Sequence, residues 1–185
     1  MWQRRGKTGT ALYLGTNLSF GDESGCNTDM TRRYAYALGG NRAVDSALLC
    51  KPKNTTILSS IQASGICHYT TFPGGTTVAR FKEYLENDLI PYLNKTSVLV
   101  MDNMKSHHAK AVKELLDKSG MHCLYLPPYS LDLNPIEKLW SKVKAVLRKL
   151  KARIVDALPD AIQTAFAYVS QSDCAGWFRS CNYSL

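Results

Sequence analysis

The feature that most constrains the fold is a short, wholly apolar segment that ends in an acidic residue. Residues Val98 to Asp102 read Val-Leu-Val-Met-Asp, and helical periodicity lies on both sides of them. An uninterrupted apolar strand is typical of the interior of a sheet whose two faces are both covered. This segment therefore predicts a sheet with helices packed on its faces.

The neighbouring segments extend this pattern into an ordered series of elements. After an early strand near Leu18–Asp22, the predicted elements are a hairpin of Asn54–Gln62 and Ile66–Phe72, a helix opened by Gly74-Gly75-Thr76-Thr77, the strand Val98–Asp102, a helix over Ser106–Ser119, a strand over Cys123–Leu126 and a basic helix that includes Glu137. Strands that alternate with helices after an antiparallel start predict an α/β fold, a mixed β-sheet flanked by helices. The tail has helical periodicity over Ile154–Val169, whereas Asp173–Leu185 is predicted to be irregular.

The length and charge of the chain limit its class and its partners. At 185 residues it fits one domain, and 23 Lys and Arg against 15 Asp and Glu give a formal charge of +8. A basic balance favours polyanionic partners. No apolar stretch approaches the ~18–20 residues of a membrane-spanning helix, and the N-terminus lacks the apolar region of a signal peptide. We therefore expect a cytoplasmic protein without a membrane partner.

Six cysteines are spread through the chain, and no two of them form a Cys-X-X-Cys pair. Their spacing predicts no zinc site. A disulfide framework is equally unexpected in a cytoplasmic chain of this length. We expect most of these thiols to fill the core.

Three acidic residues are the candidates for chemistry. Asp102 ends the apolar strand, Glu137 opens a basic amphipathic helix, and Asp22 follows a short apolar stretch near the N-terminus. In α/β sheets, catalytic groups and ligands gather at the carboxyl ends of parallel strands. Three carboxylates so placed can hold a pair of divalent metal ions for phosphoryl transfer.

Three segments resemble the catalytic core of the mariner-type and related bacterial insertion-sequence transposases, which are DDE superfamily endonucleases. These segments are Phe20-Gly21-Asp22-Glu23-Ser24-Gly25, Met101-Asp102-Asn103 and Tyr129-Ser130-Leu131-Asp132-Leu133-Asn134-Pro135-Ile136-Glu137. The spacing between the second and third carboxylates also fits, and the resemblance covers residues 15–155. The chain departs from the family pattern at Leu131, where Pro is usual, and at Gly21, where an apolar residue is usual.

The resemblance implies an RNase H-like fold and an Asp-Asp-Glu triad of Asp22, Asp102 and Glu137 that binds two Mg²⁺ or Mn²⁺ ions. The implied partners are DNA, namely transposon terminal inverted repeats and target DNA, with a homodimer in the DNA complex. Family members carry helix-turn-helix domains before the catalytic core. Too few residues precede Asp22 for such a module, so we expect a single catalytic domain over residues 1–185. A separately encoded half would then supply the helix-turn-helix domain, and a bacterial host would place the protein at the nucleoid.

Two of the three acidic residues have competing interpretations. Glu137 also fits a capping box, because Asn134 is a good N-cap and Pro135 suits the first helical position. Its carboxylate would then only bond back to the start of its own helix. Glu23 is adjacent to Asp22, and neighbours in a strand point to opposite faces, so only one of them can face the site. The Asp-Glu-Ser order of the resembling family selects Asp22.

Asn103, His107 and Asn134 are predicted to support the triad. Asn103 could hydrogen-bond and orient the carboxylate of Asp102. His107 and His108 are either a solvated pair, or His107 points into the site to contact DNA or orient a water molecule. Asn134 adjoins Glu137 as the predicted cap of the basic helix.

The basic helix carries cations on the same side as Glu137. Lys144, Arg148 and Lys151 follow Glu137 at helical spacing, beside an apolar arc that predicts the buried face. We predict that these three cations contact DNA phosphates. The alternative is a solvated cationic face.

These observations predict the catalytic domain of a cut-and-paste DNA transposase. One alternative is an inactive or truncated remnant that acts only in DNA binding or assembly. Another is an RNase H-like nuclease with no role in transposition. Metal-dependent nicking of DNA separates the remnant from the two enzymes.

Overall fold

A five-stranded mixed sheet forms the centre of the molecule. The computed structural model describes residues 17–32, 34–46, 52–65 and 67–185. Its strands are β1 (Leu18–Cys26), β2 (Thr55–Gln62), β3 (Cys67–Pro73), β4 (Val98–Met101) and β5 (His122–Tyr125). They lie in the order β3-β2-β1-β4-β5. The β1–β2 and β2–β3 pairs are antiparallel, whereas β4 is parallel to both β1 and β5, which confirms the predicted mixed sheet.

Helices follow the strands in the predicted order. They are α1 (Val78–Glu83), which continues as a π-helical segment (Tyr84–Leu89) and a 3₁₀ turn (Ile90–Tyr92), and then α2 (Lys110–Ser119), α3 (Ile136–Leu150), α4 (Leu158–Ala167) and α5 (Gln171–Ser180). The hydroxyl of Thr77 caps α1 by accepting from the backbone N of Arg80 at 3.3 Å. Gly120 ends α2 with φ of 67°, as predicted. The start of α2 was predicted at Ser106, but residues 105–108 form a turn and the helix begins at Lys110.

Two hydrophobic clusters cover the two faces of the sheet. One contains Val98 and Val100 of β4 together with the buried faces of α3, α4 and α5. The other contains Leu99 and Met101, which pack against α1, its π-helical extension and α2. Because successive strand residues face opposite sides, this alternation decides which helices are met by Asp22 in β1 and by Asp102 after β4.

Gly21 lies in the middle of β1 and leaves the strand intact. It pairs with Ser60 of β2 and Met101 of β4. A Cβ atom built at Gly21 would meet the Cδ1 of Leu99 at 3.5 Å, which is ordinary contact. The apolar residue usual in the resembling family would therefore meet no backbone clash at its first carbon, and β1 extends to Cys26, beyond the predicted end at Asp22.

The irregular structure predicted for Asp173–Leu185 is wrong, because α5 covers residues 171–180. Ser170 and Asp173 form a capping box, in which the Ser170 hydroxyl accepts from the Asp173 backbone N at 3.1 Å and the Asp173 carboxylate accepts from the Ser170 backbone N at 2.9 Å. Lys142 of α3 pairs with Asp173 at 2.5 Å. Phe178 packs edge-on against Phe20 of β1, with ring centroids 5.3 Å apart. The helix therefore depends on a cap and on tertiary contacts more than on a strong apolar period.

Cys26, Cys174 and Cys181 are buried, as expected for thiols that fill the core, whereas Cys50 lies outside the described residues. Among the helices that the structure describes, none is long and apolar enough to cross a membrane.

Candidate active site

Asp22 and Asp102 lie side by side on neighbouring parallel strands. β1 and β4 pair in a register that places Gly21 opposite Met101. One residue further along each strand, Asp22 of β1 therefore lies beside Asp102, which directly follows β4. Strand alternation turns this position toward the sheet face that α3 covers, since Phe20 and Val100 belong to the cluster under α3.

Asp22 is almost fully enclosed, with 7% of its surface exposed. Its Oδ1 accepts a hydrogen bond from the backbone N of Glu23 at 2.7 Å, and its Oδ2 accepts from the indole Nε1 of Trp140 on α3 at 3.3 Å. A strand aspartate and a helix tryptophan thus join β1 to α3 at the carboxylate. Trp140 was predicted only as part of the apolar arc of α3, and no feature of the sequence singled out its N–H group.

The pKa of Asp22 is raised to about 7, chiefly because burial disfavours the charged form. The negative charges of Asp102 and Glu137 raise it further, whereas the hydrogen bonds from Glu23 and Trp140 lower it. Asp102 and Glu137 therefore lie near enough to Asp22 for their negative charges to repel its own. A cation among them would relieve that repulsion.

The surroundings of Asp102 shift its pKa in the opposite direction to that of Asp22. Its Oδ1 accepts from the ring Nδ1 of His107 at 2.6 Å and from the backbone N of Met104 at 3.1 Å. Burial alone would raise the pKa of Asp102, but the hydrogen bond and charge of His107 outweigh burial and lower it. One oxygen of this carboxylate is thus committed to the protein, and the other remains for a ligand.

His107 is fully buried, so the solvated pair considered for it is wrong. Its ring lies 4.3 Å from the ring of Phe81, and its backbone carbonyl accepts from the hydroxyl of Tyr125 at 3.0 Å. Burial alone would lower the pKa of His107, but Asp102 raises it above the usual value. Tyr125 was predicted only as a strand residue, and its hydroxyl contact depends on the parallel pairing of β5 with β4.

Glu137 is half-buried in the first turn of α3. The N-cap of α3 is Pro135 and not Asn134, and the cap makes no side-chain hydrogen bond. The backbone N of Glu137 donates to the carbonyl of Asn134 at 3.2 Å. Within the described residues, no hydrogen bond holds the Glu137 carboxylate to the start of α3, so the capping-box interpretation is wrong.

A cleft of about 430 Å³ opens between the carboxylates and the loop that follows β5. Its lining includes Asp102, Asn103, Asn134, Glu137 and residues 126–131. Asp22 is not among the described residues that line the cleft, and its carboxylate contacts Trp140. A polyanionic substrate in the cleft would therefore meet Asp102 and Glu137 first.

Two of the predicted supporting residues behave differently from expectation. Asn103 does not orient Asp102, because its side-chain oxygen pairs with the ring Nε2 of His108, which stacks on Tyr125 with centroids 4.0 Å apart. Asn134 is buried and lines the cleft, but it supports Glu137 through its backbone carbonyl. The loops before α2 and before α3 decide these contacts, and their conformations are not encoded by strand or helix periodicity.

The structure brings together two of the three predicted DNA-contacting cations. Lys144 and Arg148 line a second cleft of about 320 Å³, together with residues of the segment 25–31 after β1. Lys151 lies beyond the end of α3 in a left-handed conformation with φ of 53°, and its amine pairs with Asp45 at 2.5 Å. Lys151 is thus engaged within the protein.

The donor chemistry of the site suits a hard divalent cation, because Asp22, Asp102 and Glu137 offer only carboxylate oxygens. Burial and the neighbouring negative charges, which raise the pKa of Asp22, also favour a bound cation at this place. Among the described residues, however, no three acidic, histidine or cysteine side chains are already grouped to hold an ion. Cation binding would therefore require the three carboxylates to come closer together, and the Asp102 oxygen that His107 does not hold is available for it.

Comparisons with known proteins agree with this arrangement. The model of the family described as DDE superfamily endonuclease matches residues 17–158. The chain is 30% identical over 96 residues to the transposable element Tcb2 transposase of Caenorhabditis briggsae, a match that covers 50% of this chain and 35% of that protein.

Solved structures of the Mos1 transposase share the fold. The pre-cleavage Mos1 transpososome matches with a TM-score of 0.77 at 21% identity, covering 91% of this chain and 53% of that chain. The catalytic domain of the Mos1 mariner transposase matches with a TM-score of 0.64 at 19% identity, covering 90% of this chain and 78% of that chain. The sheet and its flanking helices thus form an RNase H-like fold. The chain spans about a third of the Tcb2 transposase and about half of the Mos1 chain in the transpososome.

Proposed function

The chain belongs to the DDE superfamily endonuclease family, and on this premise we propose that it is the catalytic domain of a DNA transposase. It would cleave DNA strands at transposon ends and transfer them to target DNA. The observation that carries the proposal is the placement of Asp22 beside Asp102, with the pKa of Asp22 raised to about 7 by burial and by the charges of Asp102 and Glu137. Neighbouring carboxylates directly after the paired part of two parallel strands are a typical arrangement for metal-assisted phosphoryl transfer.

Asp22, Asp102 and Glu137 would hold two Mg²⁺ or Mn²⁺ ions, which supply Lewis-acid stabilisation of the attacking and leaving oxygens. Solved structures of the Mos1 mariner paired-end complex include one with Mn and one with Mg, which supports this choice of metals. His107 and the backbone of Met104 hold one oxygen of Asp102, so the other oxygen would serve as the ligand atom. The protein therefore contributes positioning and charge, and it needs no covalent nucleophile.

The test of catalysis uses a supercoiled plasmid that carries the ends of the element. We expect Mg²⁺- or Mn²⁺-dependent nicking by the parent protein. Asp22→Asn, Asp102→Asn and Glu137→Gln should each reduce nicking to the metal-free level, because an amide keeps the shape but not the charge that attracts the ion. Asp117→Asn, at an exposed position of α2, is the matched control and should cut normally.

The same assay separates the three candidate functions. A transposase should also join the cut ends to a second DNA molecule. Nicking without joining would favour a nuclease with no role in transposition. Cleavage by Asp102→Asn at the parent rate would show that Asp102 is not a ligand, and no cleavage by the parent protein would favour a remnant that only binds DNA.

Lys144 and Arg148 are proposed to contact DNA phosphates. Replacing both by Ala should weaken binding to any duplex sequence and make the log–log salt slope shallower by about 0.9 per lost phosphate contact. Lys151→Ala should change the slope less, because the amine of Lys151 already pairs with Asp45. Lys113→Ala with Lys118→Ala, on the exposed side of α2, is the charge-matched control. The slope is measured from dissociation constants at several salt concentrations, and an unchanged slope would assign the DNA contacts to other cations.

We further propose that the protein acts as a homodimer on terminal inverted repeats and target DNA. A paired-end complex is the form in which Mos1 was solved with its left transposon end, which supports a dimeric arrangement here. The bacterial, nucleoid-associated setting expected from the resemblance to insertion-sequence transposases remains a prediction. Light scattering of the protein with and without end DNA measures the assembly directly.

A further inference from the structure

Glu23 occupies the position of β1 that points away from Asp22. Its side chain is mostly enclosed, with 17% exposed, and its Oε2 is buried without a hydrogen-bond partner. The facing group is the Nε2 of His107, 4.0 Å away, which is also buried without a hydrogen-bond partner. Burying a carboxylate costs free energy unless a positive or hydrogen-bond-donating group compensates it. A buried Glu23 that faces His107 therefore suggests that the two side chains act together.

His107 connects Glu23 to the candidate active site. The ring has one nitrogen toward Glu23 and the other on Asp102, at 2.6 Å from its Oδ1. The ring is held in place by Phe81, 4.3 Å away, and by the Tyr125 hydroxyl that donates to the His107 carbonyl. Because the ring is enclosed on these sides, the interaction of Nε2 with Glu23 influences the direction in which Nδ1 points at Asp102.

Glu23 also contacts the second carboxylate, through its backbone. The backbone N of Glu23 donates to the Oδ1 of Asp22 at 2.7 Å. One residue of β1 thus reaches both acidic residues, Asp22 through its main chain and Asp102 through its side chain and His107. Glu23 therefore links groups on the two faces of the sheet, since its backbone contacts Asp22 and its side chain faces His107.

We propose that Glu23 is a positioning residue, which orients Asp102 through His107 for the chemistry of the site. The proposal rests on the proposed function, because it takes Asp102 as a group that holds the metal ions. Partners behind a liganding side chain typically change activity or metal affinity by about 10- to 100-fold when they are removed. Glu23→Gln, which keeps the size of the side chain, should therefore lower the nicking rate constant by about 10- to 100-fold. The KM for DNA should stay unchanged, because Glu23 does not reach the cleft.

The deciding experiment is a double-mutant cycle with His107→Asn. The asparagine amide can still donate to Asp102 from the position of Nδ1, but it has no group in the position of Nε2. On this background Glu23→Gln should change the rate by less than about twofold, since coupling through His107 is gone. An equal loss on both backgrounds would show that Glu23 acts independently of His107 and would overturn the proposal. Glu114→Gln, at an exposed carboxylate paired with Lys110, is the control.

A second measurement needs neither metal nor DNA. Long-range ¹H–¹⁵N spectra of the full chain report the two ring nitrogens of His107 separately. In Glu23→Gln both signals should move, whereas in Glu114→Gln they should stay. Unchanged His107 signals in Glu23→Gln would overturn the proposal even if the parent protein cuts DNA. Absence of cutting by the parent would instead reject the proposed function and leave Glu23 to be decided by these spectra. If Glu23→Gln does not fold, Glu23→Asp replaces it, because it keeps the charge but withdraws it from His107.

Discussion

Asp22 in the middle of β1 and Asp102 in the loop after β4 present the same chemical group in opposite states. Asp22 is enclosed under Trp140, and burial, aided by two neighbouring negative charges, raises its pKa to about 7. Asp102 lies next to it but contacts a buried histidine, whose hydrogen bond and charge lower its pKa despite partial burial. The difference comes from the partner that each carboxylate meets, a neutral indole in one case and a basic imidazole in the other.

This contrast shows how carboxylates can favour cation binding although, among the described residues, they are not already grouped around an ion. Asp22 carries an electrostatic cost that a bound cation would relieve, whereas Asp102 is already ionised and held in place. A cation would therefore stabilise the surroundings of Asp22 more than those of Asp102. Removing each charge in the metal-free protein should separate the two effects, because the changes in folding stability have opposite signs.

The largest expected effect is a stabilisation by Asp22→Asn in the metal-free protein. A carboxyl whose pKa rises from 3.8 to about 7 on folding binds more protons folded than unfolded, so the free energy of unfolding falls as pH rises through that window. The asparagine variant has no carboxyl at this position and does not lose stability in this way. We expect it to be more stable than the parent by on the order of 2–4 kcal/mol above pH 7, with the difference shrinking toward pH 4. Urea unfolding in a chelator across this range measures it, and saturating Mn²⁺ should reverse the order. A pH-independent difference would contradict the shifted pKa.

Asp102→Asn should destabilise the metal-free protein, which is the opposite sign. The pKa of Asp102 is lowered, so its contribution is present above pH 3.8 and is lost in acid. The pKa of His107 is raised, so its contribution is present below pH 6.5 and is lost as pH rises through the folded value. At pH 5.5 both contributions are present, and we expect a loss of about 1–2 kcal/mol, which is modest because a third of Asp102 remains exposed. Stability at pH 5.5 equal to that of the parent would mean that the Asp102–His107 pair does not stabilise the fold.

The smallest effect is expected for Trp140→Phe, which removes the N–H that reaches Asp22 at 3.3 Å. A hydrogen bond to a charged acceptor is stronger than one to a neutral acceptor. The variant should therefore lose about 1 kcal/mol more above pH 7 than at pH 5. Trp177→Phe, in the same hydrophobic cluster, controls for the change of ring size and should show no such pH dependence. Chemical unfolding at the two pH values provides the comparison.

Strong local patterns explain why most of the fold was predictable. The apolar run Val98–Met101, the hairpin turn at Ala63-Ser64-Gly65 and the Gly120 helix end each encode a local conformation that packing does not override. The helix α5 was missed because its only strong signal is the capping pair Ser170 and Asp173. The turn at residues 105–108, which buries His107, has no periodicity, so the sequence predicts an earlier start of α2 than the one at Lys110.

The site was predictable only at the level of which residues carry the chemistry. Asp102 was identified from its place after a buried strand, whereas its pairing with His107 depends on a turn whose geometry is tertiary. The Glu137 capping interpretation could not be excluded from spacing, since a capping residue and a ligand require the same helical position. Lys151 was assigned to the cationic stripe by helical spacing, but α3 ends at Leu150 and Asp45 takes up its charge.

The sequence by itself determined the order of the strands and of the helices up to α4, the places of the acidic residues along the chain and the basic side of α3, because periodicity and turn chemistry act over a few residues. Only the tertiary structure decided which carboxylate is buried under Trp140, which one is held by His107, and how Glu23 lies against both. Those outcomes depend on the parallel register of β1 with β4 and on the seating of α3 across the sheet. The physical reason is that pKa values and hydrogen bonds are set by neighbours in space, and those neighbours here are up to 118 residues apart in the chain.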